Sequence, residues 1–195
     1  MMVKGRPVKI TRNNIANKSL ELYWKNGIQN TTYNAVINYS GYSKTTVYNL
    51  FESEDDLQAK TLEYYFENDL ISFKKYIFKH NDLLDFINFI FENKFNSACY
   101  FLISNSNKHL LGSLSKATLI KLEKEFKKLL TVLIAKHINK HKLNVKNSNI
   151  SSLMTYLFHN FTLLNIMKNN KSDKKDFKII KNAITEKILT SLHNQ

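Results

Sequence analysis

The sequence predicts an all-α protein, and three observations lead to that prediction. Proline occurs once, at Pro7, and glycine only four times among 195 residues, so little interrupts a helix beyond residue 10. Apolar and small residues recur at intervals of three and four, as they do from Ile15 to Tyr23. Alternation of period two is nowhere long enough to build a sheet. The chain therefore divides into about nine helices.

Two kinds of residue mark the ends of these helices. Gly27 and Gly41 each follow a periodic segment, and glycine favours the position just past a helix. Thr31 or Thr32, and later Ser43, precede the next segments, where a hydroxyl can accept a hydrogen bond from a helix amide. The predicted helices are 11–26, 33–40, 44–50, 53–79, 82–94, 97–105, 115–141, 149–168 and 174–193.

The second and fourth helices carry more specific expectations. Ala35, Val36 and Tyr39 are predicted to face the core from the second helix. Ser53 and the three acidic residues at 54–56 predict the start of the fourth helix. Ser53 can cap the helix, and acidic side chains are favourable at the positive N-terminal end of the helix dipole.

The chain is strongly basic, with a formal net charge of +13 and a pI near 9.6. Such a charge favours a polyanionic partner, either nucleic acid or an anionic membrane surface. Lysine greatly outnumbers arginine, so biased base composition of a genome explains the charge equally well. Cys99 is the only cysteine and excludes an intrachain disulfide, which is typical of a reduced cytoplasm. No signal peptide and no run of about 18 apolar residues is present, so no membrane span is expected.

A helix-turn-helix is predicted within the first sixty residues. The order is a helix, a short helix ending at Gly41, a tight turn, and a second short helix from Lys44. The last of these directs polar side chains outward, where they can meet phosphates or base edges in a DNA major groove. Up to Phe51 the chain carries seven basic residues against one acidic residue.

The segment SGYSKTTVYNLFESEDDL at 40–57 resembles the helix-turn-helix of the TetR family of transcription regulators. Eight of its residues fall in register with the family pattern: Gly41, Ser43, Lys44, Thr46, Tyr48, Phe51, Ser53 and Leu57. The resemblance implies a flexible basic arm at 1–8, a DNA-binding domain at 9–69 and a helix-turn-helix at 32–51. It implies that 70–195 form a helical domain for dimerisation and effector binding. Glu54 departs from the pattern, since a lysine near the DNA backbone is common there.

The resemblance also implies which residues contact DNA. Thr32, Lys44 and Tyr48 resemble phosphate contacts, whereas Thr45, Thr46 and Asn49 occupy positions that read bases. Asparagine suits adenine through two hydrogen bonds, and Arg6 in the arm suits a narrow minor groove. The expected DNA-binding set is Arg6, Thr32, Ser43, Lys44, Thr45, Thr46, Tyr48 and Asn49.

Apolar side chains in the second half suggest a dimer interface and a ligand pocket. Two seams on the last two helices are candidates for a four-helix bundle between two copies: Leu153, Leu157, Phe161 and Leu164 on one, Ile180, Ile184 and Ile188 on the other. The alternative is that both stripes belong to the intrachain core. The candidate pocket residues are Phe66, Phe86, Phe89, Tyr100 and Phe158, for which ordinary core is again the alternative.

Catalytic and metal-binding patterns are absent from the sequence. His137 and His141 lie four apart on one helical face, as zinc ligands can. No carboxylate or cysteine follows at useful spacing, so we interpret them as residues at a helix C-terminus, where histidine favours the dipole. No phosphate loop or nucleophile motif occurs. We therefore expect no enzyme, no metal and no cofactor.

Three hypotheses follow for the function. The first is a homodimeric repressor that binds an inverted-repeat operator in double-stranded DNA and is released by a small-molecule effector. The second keeps the DNA-binding domain but lacks an inducer, so that the protein is constitutive or controlled by a partner. The third is a basic helical protein on a membrane surface, which leaves the pattern at 32–51 unexplained.

Overall fold

A computed structural model describes residues 9–68, 71–80, 82–89 and 99–193, and this part of the chain contains helices without any strand. The all-α prediction is therefore confirmed. Ten α-helices are described: α1 Arg12–Asn26, α2 Tyr33–Ser40, α3 Lys44–Leu50, α4 Glu54–Asn68, α5 Ile71–Lys79, α6 Leu83–Asn88, α7 Tyr100–Ser106, α8 Ser113–His141, α9 Asn147–Asn169 and α10 Lys174–His193. The predicted fourth helix corresponds to α4 and α5. The basic arm, with Arg6, lies outside the described residues.

Side-chain caps begin each of the first three helices. Thr11 forms a reciprocal pair with Asn14 at the start of α1. The hydroxyls of Thr32 and Ser43 accept hydrogen bonds from the amides of Ala35 and Thr46, so both predicted caps are confirmed. These bonds satisfy amides that have no partner within their own helix.

The chain passes from α2 to α3 through Gly41, whose φ of +74° lies in the left-handed region. Residues with a Cβ adopt this region only at a cost of about 1–2 kcal/mol. A Cβ at this position would have no heavy atom within 4 Å, so the cost is one of backbone conformation alone. The glycine therefore sets the turn, as the sequence predicts.

We expect Gly41→Ala to destabilise the protein by about 1 kcal/mol and to lower its Tm by about 2–4 °C. Gly41→Asn is the matched control. Because asparagine tolerates a positive φ, this variant should lose less stability than Gly41→Ala. Thermal unfolding of the three proteins measures the effect. Equal Tm values for alanine and glycine at this position would show that the turn does not require the left-handed conformation.

The N-terminal domain packs around one face of α1. Ile15, Ala16, Leu20 and Tyr23 are buried and contact α2 and α4. The inward position of Val36 is confirmed, and Ala35 is partly buried.

The predicted inward position of Tyr39 is wrong. The buried face of α2 is formed by Val36, Ile37 and Ser40, and Tyr39 lies about 100° around the helix from its centre. Its side chain is 49% exposed, and its hydroxyl donates to Glu21 at 2.9 Å. Ile37 takes the inward position instead.

Helix α4 joins the two halves of the molecule, because α1 packs on one side of it and α8 on another. It consequently buries residues around much of its circumference: Leu57, Gln58, Ala59, Thr61, Leu62, Tyr65 and Phe66. The buried side chains of both halves form one continuous hydrophobic core. The DNA-binding domain expected from the sequence therefore shares its core with the C-terminal helices.

The C-terminal helices pack in layers, with α7 and α8 against α9, and α10 on the far side of α9. Residues of both predicted dimer seams lie in this core. Leu153, Leu157, Phe161, Leu164, Ile184 and Ile188 are buried within the single chain, and Ile180 is partly buried. Helices α9 and α10 expose other apolar side chains instead: Tyr156, Leu163 and Ile179.

Candidate nucleic-acid interface

Helix α3 is a short helix held by one buried residue and exposed on its outer face. Val47 is fully buried beneath it, and Phe51 is buried just after its end. Lys44, Thr45 and Asn49 are exposed, and Tyr48 is 49% exposed. The predicted contact residues are thus directed to solvent on one side of a helix that is narrow enough to enter a DNA major groove.

Three of the four serine and threonine residues of the expected contact set take part in capping. Thr32 is exposed while its oxygen accepts from the Ala35 amide. Ser43 and Thr46 lie with their hydroxyl oxygens 2.8 Å apart, and Ser43 also accepts from the Thr46 amide at 3.1 Å. Each hydroxyl can make a further hydrogen bond outward, since a serine or threonine oxygen has one donor and two acceptor positions.

Tyr48 is oriented by a second tyrosine. The rings of Tyr33 and Tyr48 meet edge to face with centroids 5.3 Å apart, a favourable geometry for aromatic pairs. The Tyr33 hydroxyl in turn donates to the carbonyl oxygen of Phe51 at 3.3 Å. Burial, with a smaller effect of Tyr48 nearby, raises the pKa of Tyr33, so this hydroxyl stays protonated and available as a donor. The sequence pattern did not single out Tyr33, which supports Tyr48 from α2.

Arg12 fastens the end of α3 to α1. Its guanidinium donates to the carbonyl oxygen of Leu50 at 2.7 Å and pairs with both oxygens of Asp56, and it lies 4.4 Å from the ring centre of Phe51. Arg12 is one of the seven basic residues that precede Phe51, but its charge is compensated by Asp56. It therefore acts as a support of α3, which only the long-range contact reveals.

We expect Arg12→Met to destabilise the protein by about 1–2 kcal/mol, because it removes a charged donor from the Leu50 carbonyl and leaves Asp56 without its partner. The expected loss of stability is no larger because the ion pair is partly exposed to solvent. Lys25→Met is the control: it removes an exposed basic residue at the end of the same helix. Urea unfolding compares them, and equal midpoints for the two variants would contradict the role given to Arg12.

A carboxylate at the start of α4 caps a different helix. Asp55 accepts hydrogen bonds from the amides of Leu114 at 2.8 Å and Ser115 at 3.0 Å, and from the Ser115 hydroxyl. These amides belong to the first turn of α8, whose N-cap, Gly112, has no side chain to serve them. The sequence assigns the acids at 54–56 to the dipole of their own helix; Asp55 additionally caps α8.

The contact between Asp55 and α8 is close and charged. Burial alone would raise the pKa of Asp55, but the hydrogen bonds from Ser115 and Leu114 outweigh it and lower the pKa below its ordinary value. A Cβ on Gly112 would overlap the Asp55 carboxylate, so any larger residue there would displace that side chain from its hydrogen bonds. This cap ties the helix that follows α3 to the C-terminal domain.

The residues predicted to line a ligand pocket pack mainly against other rings. Phe66, Phe86 and Phe158 are buried and contact Phe101, Phe73 and Phe126 respectively, with ring centres 4.9–6.0 Å apart. Phe89 stacks on Tyr76 at 4.0 Å.

Tyr100 borders a cavity of about 150 Å³. The cavity lies where the end of α1 meets α7, and Tyr23, Trp24 and Asn107 also line it. The effector pocket expected from the sequence stays a prediction.

Comparison with solved structures places this architecture among known proteins. Reduced NemR from E. coli superposes with a TM-score of 0.72 at 15% identity over 94% of this chain and 97% of that one. This chain has the TetR fold. A cysteine mutant of the TetR-family regulator CifR, complexed with 26-bp operator DNA, has a TM-score of 0.69 at 12% identity, covering 92% and 98% of the two chains. A TetR-family regulator from Agrobacterium tumefaciens gives 0.65 at 15% identity, covering 90% and 96%.

The likeness in three dimensions shows a shared fold, which the TetR resemblance of residues 40–57 implies. No family model and no curated protein sequence matches the chain. Among the described helices of this TetR fold, none is sufficiently long and apolar to span a membrane.

Proposed function

We propose that this protein is a TetR-family transcription regulator that acts in the cytoplasm and binds operator DNA through α3. One observation carries the proposal: α3 is capped by Ser43, anchored by Val47 and directs Lys44, Tyr48 and Asn49 outward. The TetR fold supports it, because CifR has the same fold and was solved with operator DNA. Lys44 and Tyr48 contact phosphates in this proposal, and Thr45 and Asn49 contact base edges.

The proposal includes a homodimer, since two copies of α3 are needed to occupy successive major grooves of an inverted repeat. Most seam residues predicted from the sequence are covered by the chain's own core, so the proposal assigns the interface to their outer neighbours. Tyr156 and Leu163 on α9, with Ile179 on α10, are apolar and exposed at 36%, 43% and 56%. Pairing these two helices with their copies would bury these side chains in a four-helix bundle.

Release by a small-molecule effector belongs to the same proposal. A ligand would have to bind more tightly to a dimer whose α3 helices are wrongly spaced for DNA, with a coupling of about 1–3 kcal/mol. The close ring packing of Phe66, Phe86 and Phe158 supports the alternative, a regulator without an inducer. Operator binding is common to both alternatives.

Selection of bound fragments from genomic DNA, followed by titration of the best fragment at two salt concentrations, tests the proposal. We expect an inverted repeat that binds far more tightly than random DNA, by about 10³-fold or more at physiological salt. Binding that is equal for all sequences and collapses with salt would mean that charge alone holds the DNA. In that case the regulator assignment would fail, and preference for acidic vesicles would support the membrane-surface alternative.

A further inference from the structure

A cluster of three metal-ligand side chains lies where α6 begins and α8 ends, away from α3. Asp82 precedes α6, and His137 and His141 lie four residues apart on α8. The Oδ1 atom of Asp82 is 3.5 Å from Nδ1 of His137, and its Oδ2 atom is 3.0 Å from Nε2 of His141. One potential ligand atom from each of the three residues lies within 4.8 Å of the others.

The composition and spacing of the cluster fit a transition-metal ion. Zinc binds imidazole nitrogen and carboxylate oxygen at about 2.0–2.2 Å in tetrahedral geometry, which sets the ligand atoms about 3.4 Å apart. The distances from Asp82 to His137 and His141, 3.5 Å from Oδ1 and 3.0 Å from Oδ2, are near that value, and the three ligand atoms lie within 4.8 Å of one another. A small adjustment of the side chains would bring them around one ion. His137 is 1% exposed and Asp82 is 7% exposed, so two ligands are fixed by the core, whereas His141 stands at the surface. A metal could therefore enter from the side of His141.

A positive charge already occupies this place. The ammonium of Lys140 lies 2.7 Å from Oδ2 of Asp82, and its side chain is 47% exposed. Lysine has a long flexible stem and needs no fixed geometry, so it can withdraw to solvent when a divalent cation arrives. The Leu84 amide donates to Asp82 Oδ1 at 2.9 Å and would keep the carboxylate in orientation. The long bond of 3.3 Å from the Leu83 amide to His137 Nδ1 would be exchanged for the metal.

We propose that Asp82, His137 and His141 form a binding site for a divalent transition-metal ion of the zinc class. Water completes the fourth position, and Lys140 is displaced. The sequence missed this site because Asp82 is 55 residues before His137 and reaches it only through the packing of α6 on α8. The site lies apart from α3, and its test does not depend on whether α3 binds DNA.

A calorimetric titration of the chelator-treated full-length protein with Zn²⁺ tests the proposal. We expect one ion per chain, and Co²⁺ in place of Zn²⁺ should give the visible absorption of tetrahedral coordination. His141→Gln should weaken binding by about 100-fold, because a ligand is lost while the exposed side chain leaves the fold intact. Asp82→Asn should weaken it similarly. His159→Gln, which changes an exposed histidine on α9, is the control and should bind as the wild type does.

The variant Lys140→Met distinguishes a metal site from an ordinary cluster of ion pairs. Removing the competing ammonium should tighten Zn²⁺ binding by about 10-fold in the metal site. A purely structural cluster would lose thermal stability in this variant and gain no affinity for the ion. Absence of stoichiometric binding in the wild type, or binding that His141→Gln leaves unchanged, would overturn the proposal.

Discussion

The double variant Lys44→Ala/Tyr48→Ala should lose operator affinity by about 100-fold or more, which corresponds to about 3 kcal/mol. A dimer loses each contact twice, once in each half-site, so the loss of four phosphate contacts adds up. Neither side chain supports the fold strongly: Lys44 is exposed, and Tyr48 is half-exposed against Tyr33. We therefore expect the thermal unfolding of the variant to be almost unchanged.

Salt dependence distinguishes the two substitutions. Each lysine that neutralises a phosphate releases about one counterion, so Lys44→Ala in both subunits should reduce the slope of log K against log salt by about 2. Tyr48→Ala should lower affinity without changing the slope, because its hydroxyl is uncharged. Lys128→Ala on α8 is the charge-matched control, as it lies far along the chain from α3 and pairs with Glu125. Unchanged operator affinity in the double variant would show that α3 does not contact DNA in this way.

Gly112→Ala should destabilise the protein by about 2–3 kcal/mol, a fall in Tm of about 5–10 °C. The added Cβ would occupy the space of the Asp55 carboxylate, which must withdraw from the amides of Leu114 and Ser115. The first turn of α8 would then lack its cap. Thermal and urea unfolding at neutral pH measure the loss.

A double-variant cycle assigns this loss to the cap. Asp55→Ala alone should cost a similar amount, and Gly112→Ala should add little in its presence, because the cap is already missing. Additive losses would mean that the two residues act independently. Asp56→Ala is less suitable as a control, since Asp56 holds Arg12.

The cap should also contribute to the dependence of stability on pH. The pKa of Asp55 is lowered in the folded protein, so its contribution is complete above the unfolded value of about 3.9 and is lost as pH falls below it. The difference in unfolding free energy between wild type and Asp55→Asn should therefore shrink below about pH 4. We expect it to be constant between pH 5 and pH 8. A difference that grows as the pH falls would contradict the lowered pKa.

Local features of the N-terminal helices could be predicted from the sequence. The caps at Thr32 and Ser43 and the turn at Gly41 each depend on residues within three positions, and all three are confirmed. Tyr39 was misplaced because a helix of eight residues has too few turns for its buried face to be clear from periodicity. The order of helices along 99–193 could also be predicted, because their periodic segments are longer and one misassigned residue does not hide the pattern.

Long-range contacts could not be predicted in the same way. Asp55 meets α8 across 59 residues and Asp82 meets His141 across the same separation, and no local pattern specifies either contact. The apolar stripes of α9 and α10 were predicted to form a dimer interface, with intrachain core as the alternative, and most of their residues are buried within the single chain. Periodicity does not tell a partner helix of the same chain from one of another copy. The exposed face of these helices is visible only once the chain's own core is known.

Helix α8 is held by carboxylates at both of its ends: Asp55 binds its first turn, and Asp82 binds Lys140 and His141 in its last. Its 29 residues extend over about 44 Å. A rod of that length acts as a lever, for a tilt of about 5° at one end moves the other by about 4 Å. A perturbation near α6 can thus be transmitted along α8 to the start of α4, beside the helix proposed to face DNA, with a matching rearrangement of the core packed against α8.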